Sequence, residues 1–284
     1  MNKIAVAVIH GIGEQKPDFA DEMIVKLREQ FVKQDKQRLG GTELVIKPVY
    51  WAPVLQQAEN GLWQAMLKGG ELDFISLRKF MVNFAADAIA YQPAESGREV
   101  YDRVHGVLAR VLSELADEAG EKAPLCIVAH SLGTVIASNY IYDLQAPPQK
   151  KLIPETVKAA SGSTPLEKGE TLALLYTLGS PIAIWSLRYE GFGVPVQVPD
   201  PRLKKHHPDI AGEWVNFYDR DDVIGYPLKS LNPRYKQAVK KDVEINAGGF
   251  LSSWNPLSHL GYFTDEDALK PVAEGLYRTW DSIQ

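Results

Sequence analysis

The sequence offers little beyond an apolar core to hold a fold together. A single cysteine, Cys126, among 284 residues excludes an intramolecular disulfide framework and suits a reducing compartment. No apolar run approaches the ~20 residues that a membrane-spanning helix requires. Neither sign of charge dominates. With 31 Lys and Arg against 36 Asp and Glu, the net charge is −5, so the basic face of a nucleic-acid binder is not expected. The phosphate-binding loop pattern is missing, and Gly11-Ile12-Gly13 lacks the third glycine of a dinucleotide fingerprint. Internal repeats and low-complexity tracts are absent from the sequence too. What remains is 45% hydrophobic and 24% charged residues, the balance of a soluble globular chain. Only six apolar residues, Ile4–Ile9, follow Met1-Asn2-Lys3. They read as a strand and not a leader, so a cytoplasmic location is expected.

Ile4–Ile9 is a continuous apolar run ending in His10-Gly11, the pattern of a strand buried on both faces. The residues from Asp18 to Gln34 carry a loose helical stripe. Thr42–Trp51 reads as a second strand, with Pro48 pointing to a bulge or an edge. Arg98–Ala119 is helical, with Val104, Val107, Leu108, Val111, Leu112 and Leu115 three and four apart. Further strands are expected over Leu125–Ala129, Leu172–Leu178, Trp214–Tyr218 and Asp242–Ala247, and further helices over Leu132–Leu144 and from Glu266 to about Asp281. Strands alternating with helices predict an α/β fold: one domain over 1–284, with a mostly parallel central sheet and helices on both faces. The segment 53–91 breaks the alternation. Phe74, Leu77, Met81, Phe84, Ala88 and Tyr91 give it one apolar helical face; Val54, Leu55, Ala58, Leu62 and Met66 give another. Two readings fit: helices packed on the sheet or on each other, or a helical cap over a site, facing an apolar substrate or a membrane surface.

Ala129-His130-Ser131-Leu132-Gly133 lies between a predicted buried strand and a predicted helix. A strand-to-helix turn there would present the Ser131 hydroxyl above the sheet, with small flanking residues letting strand and helix approach. A match to [Gly/Ala]-x-Ser-x-Gly is expected about 0.2 times by chance in such a chain, so the flanking elements carry the inference. His10-Gly11-Ile12-Gly13 ends the first strand. Acyl transfer builds negative charge on a carbonyl oxygen, and main-chain amides after the nucleophile and in an early glycine-rich loop are the usual stabilisers. Leu132 and Ile12 are the amides so nominated, with His10, Gly11 and Gly133 in support.

A serine nucleophile needs a base, and the base needs an orienting acid, each later in the chain. The downstream histidines are His206, His207 and His259. The first two stand beside Lys204 and Lys205 and read as solvated, with no carboxylate or thiol cluster to make a metal site. His259 lies between the last strand and last helix, in Asn255-Pro256-Leu257-Ser258-His259. For the acid, Asp219-Arg220-Asp221-Asp222 follows a strand; Asp221 and Asp222 both fit, and spacing does not separate them. Cys126 reads as core, His130 as pointing away around the turn, and His105 as a helix residue.

With these residues assembled, the chain resembles the α/β-hydrolase superfamily, lipase- and esterase-like, beginning at the strand that ends in His-Gly. Local stretches are similar to DDHD-type intracellular phospholipases: His10-Gly11-Ile12-Gly13, His130-Ser131-Leu132-Gly133-Thr134-Val135-Ile136, Leu178-Gly179-Ser180-Pro181-Ile182, Asn216-Phe217-Tyr218 through Asp222-Val223-Ile224-Gly225-Tyr226, and Ser258-His259-Leu260-Gly261-Tyr262-Phe263. That alignment favours Asp222 over Asp221. The chain departs from the pattern at Val223, where those proteins have proline, and nothing corresponds to the acidic positions that name the DDHD domain.

The resemblance and the motifs together imply a carboxylic-ester hydrolase using Ser131, His259 and Asp222, with an acyl-enzyme and no metal or organic cofactor. The same residues would serve a thioesterase or an amidase. A silent fold that binds a lipid or protein through 53–91 is the alternative of another class. The expected partner is a small-molecule or lipid ester, with peripheral membrane contact through 53–91 and no nucleic acid.

Overall fold

The computed structural model describes residues 2–12, 15–34, 41–70, 72–92, 98–150, 152–247, 259 and 261–284. The strands are β1 (Ile4–Ile9), β2 (Leu44–Val49), β3 (Leu125–His130), β4 (Leu172–Leu178), β5 (Glu213–Tyr218) and β6 (Lys241–Glu244). The main helices are α1 (Asp21–Gln34), α2 (Gln56–Lys68), α3 (Ile75–Ala90), α4 (Glu99–Ala119) and α5 (Leu132–Gln145). Shorter ones follow, α6 (Glu155–Lys158), α7 (Ile182–Trp185) and α8 (Pro233–Ala238), before the closing α9 (Glu266–Asp281). Among the described residues the sheet has six strands in the order β2-β1-β3-β4-β5-β6, every pair parallel. This is the α/β arrangement of an α/β-hydrolase sheet.

The period-two alternation of strands explains the layers. Ile4, Val6 and Val8 of β1 and Cys126 and Val128 of β3 face Met23, Leu27 and Phe31 of α1 and Leu269, Val272 and Leu276 of α9. The intervening residues, Ala5, Ala7, Ile9, Leu125, Ile127 and Ala129, face Val104, Leu108 and Leu115 of α4 and Val135, Ile136 and Tyr140 of α5. Both faces are covered, which is why these strands are apolar without interruption. Pro48 falls on β2 at the sheet's edge, where its missing N–H breaks no ladder. The last strand is shorter than expected: β6 ends at Glu244, though the Ile245 N–H still donates to the Tyr218 carbonyl of β5 at 2.9 Å.

The chain leaves β1 towards β2 on one side and returns to β3 on the other. Ligand crevices in such sheets form at the carboxyl ends of the strands where the order reverses, here between Ile9 and His130.

The helices of 53–91 pack on each other, and Phe84 of α3 stands edge-on to Trp185 at 5.9 Å. Their buried faces differ from expectation. Of the stripe expected there, Leu55 is buried and Val54 half-buried, but Ala58, Leu62 and Met66 of α2 face outward, and Glu59 and Trp63 are buried in their place. Trp63 carries the largest apolar area on this helix and takes the inward position. Of the stripe expected on α3 and its ends, Phe74 (77% exposed) and Met81 (50%) project outward, Phe84 and Ala88 are half-buried and Tyr91 is buried. No helix among the described residues is long and apolar enough to cross a membrane.

Candidate active site

A single residue turns the chain from β3 into α5. Ser131 has φ 53° and ψ −131°, a costly region for a side chain with a Cβ and one that marks functional turns. Its N–H donates to the Leu178 carbonyl at 2.9 Å, and its own carbonyl accepts from the Thr134 hydroxyl at 2.7 Å. Two glycines make room for the turn. A Cβ on Gly11 would lie 2.5 Å from that of Ser131, and one on Gly133 would overlap the His10 carbonyl. The end of β1 therefore passes directly against the serine. The amides of Ile12 and Leu132 lie one peptide beyond that contact on either chain.

His10 anchors this passage. Its Nε2 accepts from the N–H groups of Trp51 (3.1 Å) and Ala52 (3.3 Å), its Nδ1–H donates to the Gly11 carbonyl at 2.8 Å, and its ring stacks on Trp51. The Trp51 indole N–H donates back to the His10 carbonyl at 3.0 Å. These partners fix a neutral imidazole with its proton on Nδ1, and burial pulls its pKa down to about 3.

Three residues from distant parts of the chain meet above the sheet. The Ser131 hydroxyl donates to His259 Nε2 at 2.6 Å, and His259 Nδ1–H donates to Asp222 Oδ2 at 2.8 Å. All three are buried. The same carboxylate oxygen accepts from the Tyr262 hydroxyl (2.9 Å), and its other oxygen accepts from the Ile224 N–H (2.9 Å). Burial alone would raise the Asp222 pKa. The hydrogen bonds from His259, Ile224 and Tyr262 outweigh it and hold the carboxyl below its usual range. Tyr262 is itself set by the Asp219 N–H, which donates to its oxygen at 2.8 Å. Asp221 is exposed and its N–H donates to Asp219 Oδ1, while Asp219 Oδ2 accepts from Ala247. The geometry thus separates the two aspartates that spacing left open.

His130 needs correction. It does not point away: its Nε2–H donates to the His259 carbonyl at 2.6 Å, and its ring lies 4.8 Å from the His259 ring. Burial, and then the neighbouring His259, lower its pKa to about 3, so it is a neutral donor holding the main chain of His259. The signal in the sequence was its position beside the serine, but no motif assigns it a task. Tyr262 was legible only as part of a longer resemblance.

Other expected positions lie elsewhere. His206 Nε2 is 3.1 Å from Glu170, and His207 Nε2–H donates to the Lys122 carbonyl, so both are half-buried and partnered instead of solvated. Cys126 is fully buried in β3. Gly13, Asn255–Ser258 and Leu260 fall outside the described residues. Among the described residues no group of three or more His, Cys, Asp or Glu is arranged to hold a metal ion.

No protein-family model matches this sequence, and a search of curated proteins gives no match. Solved structures with a similar overall course include one from work on LipS and LipT, two metagenome-derived lipolytic enzymes. It is 9% identical over 98% of this chain and 94% of that one, with a TM-score of 0.40. Another is the esterase domain of a Rhodothermus marinus protein, 11% identical over 99% of this chain and 88% of that one, with a TM-score of 0.37. Both overlaps are loose, so the site itself must say what it can do.

Proposed function

We propose that this protein is a serine hydrolase that cleaves carboxylic esters through an acyl-enzyme on Ser131. The observation carrying the proposal is a strained serine at a strand-to-helix turn whose hydroxyl is hydrogen-bonded through His259 to a buried, ionised Asp222. His259 Nε2 takes the hydroxyl proton as Oγ bonds to the ester carbonyl carbon. Asp222 keeps the ring's proton on Nδ1 and stabilises the imidazolium. The carbonyl oxygen becomes an oxyanion facing the amides of Ile12 and Leu132. Leu132 is the first residue of α5, where N–H groups have no intrahelical acceptor and the helix dipole favours negative charge. The tetrahedral species collapses, the C–O bond to the alcohol breaks, and His259 returns its proton to the departing alkoxide. Water, deprotonated by the same imidazole, releases the acid and restores Ser131. Because the three side chains are buried, an ester gains the serine only as its neighbours give way.

A fluorophosphonate tests the proposal without presupposing a substrate. Attack by Oγ forms an O–P bond and expels fluoride, so the intact mass of the wild type should gain one phosphonyl group. Ser131→Ala should gain none, and its ester turnover should fall by about 10⁶-fold. Equal labelling of both proteins, or of neither, would overturn the assignment.

A further inference from the structure

A cavity of about 230 Å³ opens along α5, one helical turn beyond the serine. Its near end is formed by Val135 and Ile182, and its walls by Trp185, Tyr189 and Phe192, with Tyr142 at the far end. The near end is tied to the turn that carries Ser131. Ser180 Oγ accepts from the Ile182 N–H and shares a 2.8 Å hydrogen bond with the Thr134 hydroxyl, which itself donates to the Ser131 carbonyl. Along α5, Val135 stands ~6 Å from Ser131 and Tyr142 ~16 Å, at 1.5 Å per residue.

The wall is built at a cost. Phe192 has φ 63°, which a bulky residue adopts only when its surroundings enforce it. Asn232 does the enforcing. Its Nδ2 donates to the carbonyls of Gly191 (2.8 Å) and Gly193 (3.2 Å), while its Oδ1 accepts from Arg234 and Tyr235 at the start of α8. A strained aromatic wall beside the nucleophile's helix is an arrangement for holding something apolar.

We propose that this cavity is the acyl subsite of the enzyme, taking an unbranched aliphatic acyl chain of about eight carbons. The inference rests on Ser131 being the nucleophile. The length follows from reach, since the lining of the cavity on α5 spans ~10 Å from Val135 to Tyr142 and a fully extended chain advances ~1.2 Å per bond. The choice of acyl over alcohol follows from direction. The alcohol takes its proton from His259 and leaves on that side, whereas the cavity runs along α5 from Val135 to Tyr142. The chain that stays on Ser131 while water attacks lies along the helix that Ser131 begins.

The test is a series of p-nitrophenyl esters from acetate to dodecanoate, run beside a series of alkyl acetates and beside phosphonate labelling of Ser131. For the wild type, kcat/KM should rise with each added acyl carbon, by up to about fourfold per methylene, and level off near octanoate. The alkyl acetates should show no such rise. Ser138 also lines the cavity, and Ser138→Trp should fill it, so that the octanoate-to-acetate ratio drops at least tenfold. Ser138→Ala should keep the wild-type ratio. If Ser138→Trp does not fold, the wild-type acyl series decides alone. A flat acyl series, or a rise confined to the alcohol, with Ser131 still labelled, would overturn the subsite and leave the hydrolase standing. No turnover and no label would bring down both.

Discussion

Asp222, His259 and Ser131 have a counterpart elsewhere in the molecule: Asp143, His105 and Tyr91. In the second trio the Tyr91 hydroxyl donates to His105 Nε2 at 2.9 Å, and His105 Nδ1 faces Asp143 at 3.5 Å. The order of groups and the proton on Nδ1 are the same, and these side chains are also buried. The ends differ. Tyr91 has a phenol that burial pushes well above its usual pKa, and its backbone at the end of α3 is unstrained, with φ −83°. Ser131 has an aliphatic hydroxyl, a left-handed φ, and the first amide of a helix beside it. On the reading proposed above, a carboxylate and an imidazole in line do not make a site by themselves. The main chain around the hydroxyl does. The second trio serves to tie α3 to α4 and α5, with Tyr101 stacked on Tyr91 and donating to Asp143 at 2.9 Å.

Paired substitutions break the comparison most sharply. Asp222→Asn should lower kcat by about 10⁴-fold, because an amide no longer holds the proton on His259 Nδ1. Asp143→Ala should leave ester turnover within about twofold and instead lower the unfolding free energy by roughly 1–3 kcal/mol, the cost of buried donors on Tyr101 and His105 without their acceptor. Turnover with the one ester measures the first effect and urea midpoints the second. Similar turnover losses in both variants would mean that the two trios act as one network.

How much of this the sequence discloses follows from the range of each interaction. Ser131 and the end of β1 were legible because strand, turn and helix are local, and because Gly11 and Gly133 are required where a Cβ has no room. His259 was legible from chain order. Asp222 was separable from Asp221 only by resemblance, since both stand after β5 and only tertiary packing buries one of them. The second trio was illegible: His105 and Asp143 sit on different helices, and nothing in the periodicity of either announces the other. The outward turn of Leu62 and Met66 was illegible for the same reason, since it depends on which side chain the neighbouring helix can best accommodate.

The next largest effect sharpens what the main chain contributes to the first trio. His130 touches His259 through its carbonyl, so in the proposed mechanism it positions the base. His130→Phe keeps a ring of similar size and removes the donor. It should lower kcat by roughly tenfold to a hundredfold, as expected for a buried acceptor left unpaired, with KM within about twofold. His130→Gln, which restores an N–H donor, should recover part of the loss. A change in KM alone, or no recovery with glutamine, would mean that His130 only packs.

The last effect is on stability, and it separates the histidines from the carboxylate. Folded, His10 and His130 take up a proton only near pH 3 because they are buried; in the unfolded chain each does so near 6.5. Between those values the unfolded chain binds more protons, so the folded state loses ground as pH falls. Each of the two removes up to ~1.4 kcal/mol per pH unit, with no penalty above pH 6.5. Asp222 acts in a different window. Its carboxyl lies below the usual range, so the stability it contributes is present above about pH 4 and is lost only as pH falls through its lowered folded value. Urea midpoints should therefore decline steadily from pH 6.5 to 4.5, and His130→Phe should make that decline shallower. A decline that begins only below pH 4 would place its origin in carboxylates and show that His10 and His130 take up protons near pH 6.5 in the folded state too.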